Sequence, residues 1–117
     1  MFILNEDGKS RQIVSRLVEY AESKGIRFKV DGLDDSSPYC SMKGGTSLSY
    51  RKFRRKWPDK GIVVFATDVD ADNLQSKLGL QRYDNDKDSD RPNTIFIPKE
   101  KFEEAIEILA SNPQNRD

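Results

Sequence analysis

Three aspartates at alternate positions, Asp68, Asp70 and Asp72, are the residues of this 117-residue chain best suited to chemistry. They close the apolar run 61–66, which reads as a strand buried on both faces. Open α/β sheets bind ligands and metals just outside the carboxyl ends of their strands. Carboxylates gathered there repel one another and call for a cation, a hydrogen-bond donor or a capping role. A calcium loop is excluded, because Asn73 stands where its turn glycine belongs and Gly79 where its bidentate glutamate belongs. A phosphatase-type Asp-x-Asp ranks low, since that chemistry sits on the first strand of a larger domain. The plainer reading makes Asp70 or Asp72 the cap of a helix starting near residue 71, where a carboxylate also suits the helix dipole. Asp68 is then a solvated strand-end residue.

The second constellation is basic. Residues 43–60 carry Lys43, Arg51, Lys52, Arg54, Arg55, Lys56 and Lys60 against Asp59 alone, and an aspartate-rich stretch follows directly. Tyr50, Phe53 and Trp57 fall at i, i+3 and i+7, one face of a helix, with the basic residues on its other faces. Such a helix can contact a nucleic-acid backbone, with Trp57 or Tyr50 stacking on an unpaired base. The alternative is a surface helix whose aromatic stripe is core, or a hairpin strand over 46–53.

Composition narrows the chemistry. The chain has 20 basic and 20 acidic residues, so net charge points to no partner. It has no histidine, which excludes histidine-based acid–base or nucleophilic catalysis and histidine-ligated metals. The lone Cys40 forms no internal disulfide and reads as a reduced structural thiol. No apolar stretch approaches the roughly 20 residues of a membrane span. The first residues are too short and too soon charged for a signal peptide. A cytoplasmic protein is expected.

The elements that must position these residues alternate. Residues 2–4 read as a strand. Ser10 can cap a helix with Ile13, Val14, Leu17, Val18 and Ala21 on one face, ended by Gly25. Ile26, Phe28 and Val30 form a half-exposed strand, and 31–45 a loop with a short extended piece at 39–42. The basic helix follows, closed by Pro58. Then come strand 62–67, a short helix ended by Gly79, a polar loop over 84–92, strand 94–97 and a last helix opened by Pro98. This order predicts a single three-layer α/β domain over 1–110, its small sheet mostly parallel and flanked by helices, with a flexible tail at 111–117. The alternative is an α+β domain in which 39–66 form an antiparallel meander.

In that parallel sheet Glu6 and Asp68/Asp70 lie at neighbouring strand ends. The segments 2–10 (strand, Glu6, Gly8) and 63–70 (strand, Asp68-Val69-Asp70) then resemble the Toprim domain of topoisomerases and primases, with Gly44-Gly45 resembling its mid-domain glycines. An extra residue, Asp7, separates Glu6 from Gly8, and Ala71-Asp72-Asn73 follows where the family often has Gly or Arg. The resemblance implies Mg²⁺ held by Asp68 and Asp70, with Asp72 beside them, and Glu6 as general acid or base or a further ligand. It also implies phosphate contact by Lys9 and by Arg51, Lys52, Arg54, Arg55, Lys56 and Trp57. The expected function is therefore Mg²⁺-dependent phosphodiester chemistry on, or binding to, nucleic acid. The alternative is a non-catalytic nucleic-acid- or protein-binding module, of inhibitor or immunity type, using the basic helix.

Overall fold

The computed structural model describes residues 2–4, 7–34, 37–52, 59–83 and 93–116. Helix α1 (Ser10–Ser23) comes first, then strands β1 (Phe28–Asp31), β2 (Tyr39–Met42), β3 (Ser47–Lys52) and β4 (Lys60–Phe65). Helix α2 (Asp68–Leu78), strand β5 (Thr94–Ile97) and helix α3 (Phe102–Ala110) complete the chain, with single 3₁₀ turns at 99–101 and 113–115. The strands lie in the sheet in chain order, β1-β2-β3-β4-β5, and every neighbouring pair is antiparallel.

This overturns the expected mostly parallel, three-layer sheet: the domain is α+β, and 39–65 form the antiparallel meander of the alternative arrangement. Two local features explain the difference. Residues 2–4 form no strand, so the first β-α unit is missing. Residues 47–52 form a strand in place of the expected helix, in six-pair register with β4, from Ser47↔Phe65 to Lys52↔Lys60. Leu48 and Tyr50 alternate toward one face, and Ser47, Ser49 and Arg51 toward the other. Tyr50 thus satisfies a period of two as well as the helical period. The partners that would have set the helical stripe, Phe53 and Trp57, lie outside the described residues, as do Arg54, Arg55 and Lys56.

Gly45, at φ +110°, closes the tight turn joining β2 to β3, where its N–H donates to Met42 O at 2.9 Å. A side chain there would be strained. The Gly44-Gly45 pair is accordingly a hairpin device.

One core lies on one sheet face. Cys40, Met42, Leu48, Tyr50, Ile62, Val64, Ile95 and Ile97 meet Ile13, Val14, Leu17 and Ala21 of α1, Ala71 and Leu74 of α2, and Phe102, Ala105, Ile106 and Leu109 of α3. On the other face Val63, between its cross-strand partners Ser49 and Phe96, is also fully buried. That burial is why 61–66 reads as apolar throughout, a pattern shared by central parallel strands. Within 111–116, expected to belong to a flexible tail, Asn115 is buried, its carbonyl accepts from Arg27 N, and Arg116 bridges Ile26. Among the described residues no helix is long and apolar enough to cross a membrane.

Candidate functional site

The aspartates stand at the start of α2, where the chain leaves β4. Thr67 is the N-cap, its hydroxyl accepting from Asp70 N at 3.4 Å, so the cap is neither Asp70 nor Asp72. Because all three aspartates are helical, Asp70 is turned about 200° from Asp68 and from Asp72, while Asp68 and Asp72, four residues apart, share a helix face but have different partners. Asp68 Oδ1 accepts from Asn93 Nδ2 at 2.7 Å. Asp72, on the outer surface, pairs with Arg82.

Asp70 turns inward and is only 1% exposed. Its Oδ1 accepts from Asn112 Nδ2 at 2.9 Å, and its Oδ2 from Asn115 Nδ2 at 3.0 Å and from the Thr46 hydroxyl. Thr46 Oγ1 in turn accepts from Thr67 N at 3.2 Å. This carboxylate ties the β2–β3 turn, the first turn of α2 and the C-terminal 3₁₀ turn into one network. Charge-assisted bonds of this kind satisfy a buried carboxylate without a metal.

Among the described residues, then, the carboxylates expected to share Mg²⁺ are engaged separately. Asp70 presents its oxygens to three donors, Asp68 and Asp72 have separate partners, and Glu6 lies outside the described residues. Among the described residues no group of three or more acidic or cysteine side chains is placed to hold a metal.

A different set of predicted residues does converge. β3 ends at Lys52 and β4 begins at Lys60, and the two are direct cross-strand partners. Lys60 Nζ donates to Ser10 Oγ at 3.0 Å, which brings it to the first turn of α1. That turn contains no acidic residue, and its N-cap, Lys9, supplies no side-chain cap. Gln12 Oε1 accepts from Lys9 N at 3.4 Å across that turn, and Asp7 stands in the groove beside it. Asp7, Gly8, Lys9, Ser10, Tyr50, Asp59 and Lys60 line one open groove of about 620 Å³ here. Arg51, on the opposite sheet face, lies over the Phe65 ring at 5.6 Å from its centroid. Lys43 is exposed in the turn at the far end of β3.

Sequence reasoning placed Lys9 and Lys52 in a site, offered Tyr50 as a stacking residue, and counted Lys60 and Asp59 in the basic stretch without giving either a role. The signal for Lys60 was present: it opens the apolar run and so must stand at a strand end. Its partner across the sheet depended on β3 being a strand. Thr46, Asn112 and Asn115 carried no local signal, since neutral polar residues in turns are common everywhere.

A third cluster joins chain ends. Phe2 N donates to Glu103 Oε1 at 2.7 Å, and Phe2, Tyr20 and Phe102 pack their rings at 4.7–5.7 Å between centroids. Burial, and then the nearby Glu103 and Glu107 charges, push the Tyr20 phenol above its usual value of 10.0.

The fold is a two-layer α+β domain with a five-strand antiparallel meander, and the groove sets Lys9 and Lys60 beside Asp7 and Asp59. Comparison with protein families, with characterised proteins and with solved structures finds no match to the chain.

Proposed function

We propose that this protein is a non-catalytic nucleic-acid-binding module that grips the phosphate backbone at the Lys52/Lys60 end of its sheet. The observation that carries this reading is the cross-strand pairing of those two lysines beside Lys9 and the first turn of α1, which contains no acidic residue. Like charges directly opposite one another in a sheet are destabilising. An anion between them relieves that repulsion. In sequence the residues joining the two lysines add Arg54, Arg55 and Lys56 against Asp59. Asp7 and Asp59 in the same groove supply acceptors for sugar hydroxyls, which suits a sugar–phosphate chain better than a bare anion.

Metal-dependent phosphodiester chemistry at Glu6, Asp68 and Asp70 forms no part of this proposal. The resemblance behind it rests on the order of elements in a parallel sheet, and Asp70 is committed to its own network.

The test is fluorescence anisotropy of a labelled single-stranded oligonucleotide against salt, with native protein and with Lys52→Gln/Lys60→Gln. Binding should weaken steeply with salt. If both lysines meet phosphates, the double variant should lower the log–log slope by about 1.4, at roughly 0.7 per contact on a single strand. Unchanged affinity and slope in the variant would defeat the proposal, as would the absence of binding at low salt.

A further inference from the structure

A second concave surface lies away from the cationic end. Helix α1 packs on β2 and β3, and β1 extends past it as the terminal strand of the sheet. The space between α1 and β1 is a cleft of about 480 Å³, within the range of ligand and peptide pockets. Val18, Phe28, Leu33 and Cys40 give it an apolar lining, while Glu19 and Glu22, one helical turn apart, stand on its α1 rim. Both glutamates are exposed, and neither forms an ion pair among the described residues. Lys29 is the one cation in the lining. Along the α1 axis the lining runs from Ser15, about 7.5 Å from Ser10, to Glu22, about 18 Å from it, at roughly 1.5 Å per residue. The cleft shares no lining residue with the proposed phosphate-binding groove.

The geometry points to strand addition at this place: an extended segment of a protein partner pairs with the outer edge of β1 and inserts alternate side chains, one apolar and one basic, into the cleft. Three observations combine. β1 is an edge strand with no strand partner on its outer side among the described residues, and such edges offer unpaired N–H and C=O groups. In strand addition the main chain supplies affinity and pockets for alternate side chains supply selectivity. Here the pocket adjoins that edge, with Phe28 of β1 itself in its wall. Finally, an apolar lining beside two carboxylates that form no ion pair among the described residues matches an apolar residue followed two positions later by lysine or arginine, which share one face of a strand.

The probe is the capped peptide Thr-Leu-Thr-Arg-Thr, titrated into the full chain and followed by amide spectra. Localised shifts are expected along β1 and at Val18, Leu33 and Cys40. Arg replaced by Glu in the peptide should weaken binding at least tenfold, and N-methylation of the backbone amides that face β1 should do the same. Glu19→Lys/Glu22→Lys should reverse the preference between the Arg and Glu peptides. Both positions are exposed, and unchanged shifts elsewhere verify the fold. The absence of localised shifts at millimolar peptide overturns the inference. So does N-methylated peptide that binds as well as the parent, or n-butylamine that reproduces all the shifts, which would mark a small-cation pocket only.

Discussion

Replacing Asp70 by alanine separates two accounts of the aspartate cluster by the sign of one number. If the carboxylates gather to hold a metal, they repel in the free protein, and neutralising one stabilises it. If Asp70 is the hub of a buried network, its loss leaves the donors of Thr46 and Asn115, both fully buried, and of the partly buried Asn112 without their acceptor. Asn115 Nδ2 keeps one bond, to Leu109 O at 3.0 Å, which softens its share. At about 1–3 kcal/mol for each buried group left unsatisfied, the two deeply buried partners set an expected destabilisation of roughly 2–5 kcal/mol. That is a large part of the 5–15 kcal/mol typical of a whole domain. The assay is urea unfolding followed by tryptophan fluorescence and by circular dichroism, with coincidence of the two curves as the check on two-state behaviour. Asp70→Asn keeps the shape but turns an NH₂ group toward donors, so it should also destabilise, by at least about 1 kcal/mol. A double-mutant cycle between Asp70→Ala and Thr46→Val should show positive coupling, because either change removes the same bond. An Asp70 variant as stable as the native protein, or more stable, would refute the network argument and return the cluster to the metal-binding account.

Gly44→Ala should cost about 1–3 kcal/mol, since its Cβ would overlap Asn115 Oδ1 in the packed C-terminal turn; thermal unfolding reads this directly. Asp72→Asn, which breaks an ion pair whose carboxylate is 70% exposed, should change stability by less than about 1 kcal/mol in the same scan. Tyr20 should ionise above pH 10 in an absorbance titration, and Glu103→Gln should move that ionisation back down. A proton held more tightly in the folded state keeps its full stabilising contribution below pH 10. That contribution is lost as pH rises from the unfolded value through the folded one, so alkaline unfolding should begin there.

Elements governed by their own residues are legible in the sequence. In α1, Ile13, Val14, Leu17 and Ala21 are buried as their spacing predicts, and in α3 so are Phe102, Ala105, Ile106 and Leu109. Gly25 and Gly79 both take positive φ just past their helices, as a C-terminal stop requires. The run 61–66 is a central strand. What that run could not reveal was direction: burial on both faces leaves the same apolar signature whether neighbouring strands run parallel or antiparallel. Tyr50 failed as a guide for a related reason, because one aromatic residue fits a period of 2 and a period of 3.6 equally well. Hydrogen bonding to β4 then decided between them.

The aspartates mark the sharper boundary. Their number, spacing and place after a strand belong to the chain alone, as does their position at the start of a helix, which turns Asp70 away from Asp68 and Asp72. Asp70 became a structural carboxylate only when Thr46, Asn112 and Asn115, 24 to 45 residues away in the chain, were folded onto it. Lys52 and Lys60 became a pair in the same manner, through strand register. Local propensity and periodicity act over a few residues. A buried carboxylate's charge is satisfied, and a cationic surface is assembled, by groups that only chain closure brings within hydrogen-bonding or Coulombic reach.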